Sequence, residues 1–164
     1  MADRFEVVDL TREECDSLLS AHRVGRLAYS FRDRVDIRPI MYAYRDGWLF
    51  GRTSEGSKLT TIRHNRWIAF QVDEVHDLWN WDSVVVRGAI HLLEEGGGAS
   101  QEALRAQAIQ ALSDTAVETF AEDDPAPHRS ILFALAPHEI EGRRARLSGS
   151  GRDTNEPDRE DADP

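Results

Sequence analysis

Leu49-Phe50-Gly51-Arg52-Thr53-Ser54-Glu55-Gly56-Ser57-Lys58-Leu59 is the stretch on which the fold turns. It reads as a strand, a polar loop and the first turn of a helix. Gly56-Ser57-Lys58 comes close to the end of a P-loop, but that motif closes Gly-Lys-Ser/Thr and sits between a parallel strand and a helix. Here the lysine is displaced by one residue and no hydroxyl follows it to take a magnesium ion. Just upstream, Asp46-Gly47 is a hairpin signal, so 48–52 pairs antiparallel with the segment before it. A nucleotide-hydrolysing P-loop is therefore excluded, and an antiparallel sheet is predicted.

The same residues still suit an anion. Gly56 lets backbone approach a ligand closely. Ser57 brings a hydroxyl to a helix start, where free N–H groups and the positive end of the helix dipole favour negative charge. Lys58 adds a point charge. Arg52, at the end of the strand, can present a two-pronged fork to phosphate oxygens, and Thr53 adds a second hydroxyl. This set fits a phosphate monoester. An ordinary capped surface helix with solvated charges accounts for the spacing equally well.

Outward from this stretch, Thr11-Arg12-Glu13-Glu14 is a capping box, with Leu10 and Cys15 placed as its hydrophobic staple. A helix is predicted from there to about residue 21, burying Cys15, Leu18 and Leu19. Strands are predicted at 24–31 and 36–44. The second places Ile37, Pro39, Met41 and Ala43 on one face, with Pro39 marking an edge or a bulge. A helix at 58–65 and strands at 67–72 and 83–93 follow, with a tryptophan-bearing loop at 73–82 between the strands. Gly96-Gly97-Gly98 ends the longest strand, and an alanine-rich helix runs from about Ser100 to Leu112. After a Pro/Asp-rich loop at 123–128 come strands at 130–135 and 140–147. Short turns between strands favour a small antiparallel barrel over βαβ units.

The net charge of −10 disfavours a nucleic-acid partner. Segment 148–164 holds six acids and two arginines without apolar periodicity. It is predicted to be a disordered acidic tail behind a domain at 1–147. No run is apolar enough to span a bilayer, and no signal peptide is evident. The single cysteine gives neither a disulfide nor a metal framework, which points to the cytoplasm. His64, His76, His91 and His138 lack metal-ligand spacing, and no nucleophile elbow or triad is present. Lys58 is the sole lysine beside nineteen arginines.

Four stretches together resemble the pyridoxamine 5′-phosphate oxidase-like split-barrel family, and within it the nitroimidazole-resistance-type flavoproteins. They are Val24-Gly25-Arg26-Leu27-Ala28; Arg38-Pro39-Ile40-Met41-Tyr42; Leu49 to Leu59 with its continuation through Asn65 and Ala69-Phe70-Gln71-Val72-Asp73; and Trp81-Asp82-Ser83-Val84-Val85-Val86-Arg87-Gly88. Ile140-Glu141-Gly142-Arg143 resembles the closing segment. The resemblance implies a mostly β fold with flanking helices, a six-stranded antiparallel split β-barrel that binds flavin mononucleotide (FMN) as a homodimer. It implies that Arg52, Thr53, Ser57 and Lys58, with Gly56 between them, hold the phosphate. Met41 and Tyr42 would lie near the flavin ring, and Trp81 and Ser83 would approach from the partner chain. Two departures stand out. Asp82 separates Trp81 from Ser83 where relatives have Trp-Ser, so Trp79 and Trp81 both stay candidates for the ring contact. Gln71 stands where many relatives have Glu.

A cofactor with its own redox chemistry asks only binding and orientation of the protein. The expectation is thus an FMN-dependent oxidoreductase of a small planar molecule. A reductase using deazaflavin F420, or a flavin- or haem-binding protein without turnover, stays open.

Overall fold

The computed structural model describes residues 4–148 of the 164-residue chain. Past Ser148, the acidic segment predicted as a tail lies outside the described residues. The elements run β1 (Arg4–Asp9), α1 (Arg12–Ala21), β2 (Val24–Phe31), β3 (Arg34–Arg45), β4 (Trp48–Thr53), α2 (Ser57–His64), β5 (Trp67–Val75), β6 (Trp81–Leu92), α3 (Ala99–Thr115) and β7 (Ile131–Ser148). The strand order is β1-β7-β4-β3-β2-β5-β6, and β6 returns to pair with β7. Six strands, β2 to β7, therefore close on one another as the split barrel the sequence predicts, and β1 adds a seventh along the outer end of β7.

Local chemistry sets the turns. Thr11 Oγ1 accepts the Glu14 N–H at 3.2 Å, and the Glu14 carboxylate accepts the Thr11 N–H at 2.8 Å. Asp46 and Gly47 both take positive φ, 51° and 79°, as a tight antiparallel hairpin requires. The β2–β3 turn does the same with Arg32 and Asp33, whose polar character the sequence showed but whose backbone strain it did not. Pro39 lies where β3 pairs with β2 alone, because the β3–β4 ladder begins only at Tyr42. It thus occupies the edge its missing N–H demands.

The two strands predicted at 130–135 and 140–147 are one strand, β7. Pro137 suggests a break, but it sits at a bulge, where the β6 register shifts between Arg87 and Gly88. A Cβ on Gly88 would lie 2.1 Å from the Ala136 carbonyl oxygen, so the bulge needs glycine there.

The barrel interior holds Leu19 from α1 with Leu27, Tyr42, Phe70, Val84, Val86 and Ile90. Cys15 belongs to this cluster at 2% exposure, and burial raises its thiol pKa, as a packing role for that thiol requires. A second cluster seats Ala108, Ala111 and Leu112 of α3 on Phe50, Leu132 and Ala134. Among the described residues, no helix is long and apolar enough to cross a membrane.

Candidate anion-binding site

β4 and α2 are joined by three residues, Ser54 to Gly56. Gly56 is the N-cap of α2 at φ 151°, ψ −173°, a backbone region that side chains disfavour. It provides no side-chain cap, so the first N–H groups of α2 are left for water or a ligand. Beside them opens a pocket of about 280 Å³ lined by Tyr29, Phe31, Arg34, Asp36, Arg38, Ser57 and Thr61. Strand alternation explains the lining on β3. Residues 34, 36 and 38 share one face, which becomes the core face further along at Ile40 and Tyr42.

Lys58 is half-buried at the start of α2. Its ammonium pKa is lowered, first by burial and then by the charges of Arg129 and Arg38. The described ion pairs and side-chain hydrogen bonds include no partner for Lys58, Arg38 or Arg129. Asp36 is the one carboxylate in the pocket lining. Cations gathered without matching acids, beside a helix N-terminus, suit an anion chemically.

Some of the residues expected here lie elsewhere. Arg52 does not open into the pocket. It is 4% exposed, and both of its terminal nitrogens donate to the Asp124 carboxylate, at 2.5 and 2.8 Å. The fork that spacing assigned to phosphate is taken by an acid 72 residues away. Tyr42 does not open into the pocket either. Its ring is 1% exposed against Phe70, and its hydroxyl donates to the Leu19 carbonyl at 2.6 Å, so it belongs to the core. Thr53 is buried as well, its hydroxyl turned to the Ser54 carbonyl. Met41 is half-buried on β3 opposite Val24.

Trp81 and Ser83 lie on β6, outside the pocket lining. The Ser83 hydroxyl accepts from Gln71 at 3.2 Å. Asp82, between them, is held by Arg144 and Arg146. Trp79 meets Phe5 edge to face at 5.5 Å. Arg38 and Arg129 are the functional candidates that sequence reasoning missed. Arg38 stood in plain view on the face that also carries Arg34 and Asp36, whereas Arg129 gave no signal in its loop.

On the opposite face of the β2–β3 hairpin, Val35, Ile37 and Trp67 are exposed by 74%, 57% and 56%. Val35 and Trp67 line a shallow depression with Ala28, Ala69 and Arg87. These side chains make one exposed apolar patch on that sheet face.

A family model described as pyridoxamine 5′-phosphate oxidase matches residues 11–144. A FAD-binding protein of Mesorhizobium loti, solved by crystallography, is 30% identical with a TM-score of 0.68, covering 84% of this chain and 97% of that one. The structure of the FAD-binding protein of Mycobacterium smegmatis is 27% identical with a TM-score of 0.61, covering 85% and 100%. An uncharacterized protein of Rhizobium meliloti is 31% identical over 100 residues, which make up 61% of this chain and 66% of the relative.

Proposed function

This chain belongs to the pyridoxamine 5′-phosphate oxidase family, and from that premise we propose that it binds FMN by its phosphate at the α2 pocket and serves as an oxidoreductase of a small planar molecule. The observation that carries this reading is the start of α2, where Ser57 and Arg38 line the pocket and the half-buried Lys58, which feels the charges of Arg129 and Arg38, has no described acid partner. A phosphate dianion relieves that repulsion and accepts the free N–H groups of α2 and the Ser57 hydroxyl. Bound flavin supplies the electron chemistry; the chain supplies binding and orientation. Lys58, Arg38 and Ser57 hold the phosphate end. Met41 lies on the other face of β3, the one that carries Val35 and Ile37.

The apolar face with Val35, Ile37 and Trp67 is assigned in this reading to a second copy of the chain. A two-fold axis lets one patch cover itself, and the family resemblance implies such a pair. Trp81 and Ser83 then reach the ring from the partner. Light scattering should give twice the chain mass at micromolar concentration. A monomer that still binds flavin would remove Trp81 and Ser83 from the site.

FAD is the second reading, favoured by the two solved relatives described as FAD-binding. The decisive test is the visible spectrum of the purified protein, with the released cofactor identified by mass. A yellow protein that releases FMN supports the proposal. FAD in its place moves the phosphate pocket onto a diphosphate. F420, haem or no bound cofactor overturns it.

A further inference from the structure

Between α3 and β7 the chain runs through a series of tight turns. Backbone N–H groups of Thr119, Ala121, Asp124 and Arg129 donate to the carbonyls of Ala116, Glu118, Ala121 and Ala126, at 2.9 to 3.2 Å. Asp124 is the knot of this segment. Its carboxylate takes the Arg52 fork, and it also accepts the N–H groups of Phe120 at 2.9 Å and Ala126 at 2.8 Å. The Phe120 ring lies over the Arg52 guanidinium, 5.2 Å from ring centre to Cζ. Both charged side chains are 4% exposed, and Arg52 Nε is buried without an acceptor. A buried ion pair with one donor left unmet is a poor way to gain stability. It is, however, an effective way to fix where a loop lies.

What the loop carries is Arg129. The β4–β7 ladder ends at Thr53 opposite Ile131. Two residues further along each strand direction lie Glu55 and Arg129, so Arg129 emerges beside the turn that opens α2. There its charge acts on Lys58.

We propose that segment 116–130 is a strap, fastened by Asp124 to the buried Arg52, that holds Arg129 beside Lys58 and Arg38 as a further cation of the phosphate pocket. This rests on the phosphate reading given above. Asp124 and Arg52 are positioning residues, and Arg129 is the group that meets the phosphate. The arginine next to the Gly-Ser-Lys turn thus acts from behind the pocket, through the arginine it holds in place.

Calorimetric titration of the full chain with FMN and with riboflavin, which lacks the phosphate, tests the strap. Arg129→Ala should weaken FMN binding by about tenfold. Riboflavin affinity and melting temperature should stay at parent values, because the Arg129 side chain has no described hydrogen bond or ion pair. Asp124→Asn should lower FMN affinity by a similar factor through the same residue, again sparing riboflavin. If Asp124→Asn fails to fold, Arg129→Ala carries the test alone. Should Arg129→Ala bind FMN like the parent while Lys58→Ala does not, the strap is overturned and the phosphate pocket stands. Should neither variant change FMN affinity, the phosphate reading falls and takes the strap with it. Equal loss of FMN and riboflavin in Arg129→Ala also overturns the strap, since the contact would not be with phosphate.

Discussion

Arg52→Ala is expected to lower the melting temperature by on the order of 10 °C, the size expected when one partner of a buried ion pair is deleted from a domain of this length. The substitution leaves the Asp124 carboxylate enclosed and facing only two backbone N–H groups. It also removes the surface on which Phe120 rests. Arg52→Lys should recover only part of the loss, because an ammonium cannot satisfy both carboxylate oxygens as a guanidinium fork does. The pH dependence has a definite sign. The Asp124 carboxyl is held well below the usual carboxylate range, chiefly by the hydrogen bonds from Arg52. Its contribution is therefore complete at neutral pH and is lost as pH falls from about 4 toward the lowered value. Melting curves from pH 7 to pH 3 should show the parent losing more stability than Asp124→Asn does. Arg52→Ala melting within a degree or two of the parent would show that the ion pair carries no load.

Lys58→Ala should weaken FMN binding by about 1–3 kcal/mol, or roughly five- to 150-fold, the usual worth of a charge-assisted hydrogen bond. Riboflavin is the internal control, and its affinity should be indifferent to the change. Lys58→Arg should restore binding only in part, since a planar guanidinium replaces a compact ammonium in a site already holding Arg38. Because burial and neighbouring cations lower the Lys58 pKa, FMN affinity should begin to fall with rising pH below the ordinary lysine range. Calorimetry across the alkaline range checks both points.

What was legible in the sequence was local. The capping box at Thr11, the Asp46-Gly47 hairpin and the edge position of Pro39 each follow from a few neighbouring residues, and each is present in the structure. The break after Gly56 was legible for the same reason, as only glycine accepts that backbone readily. Position within the barrel was not legible. Tyr42 and Arg38 lie on one face of β3, four residues apart, yet one fills the core and the other opens on the pocket. Alternation gives the face of a strand but not the point at which that face leaves the barrel. Arg52 shows the larger limit. Its pairing with Asp124 spans 72 residues, and no spacing rule anticipates which acid returns to cover a given arginine. β1 was missed because its six residues are all exposed, leaving no apolar alternation strong enough to announce a strand.

The flavin reading depends on the cations around the start of α2 forming a phosphate site. Calorimetric titration of the cofactor-free parent protein with FMN and with riboflavin tests it most directly. One FMN per chain is expected, bound at least about tenfold more tightly than riboflavin. FMN and riboflavin binding with the same affinity would contradict it.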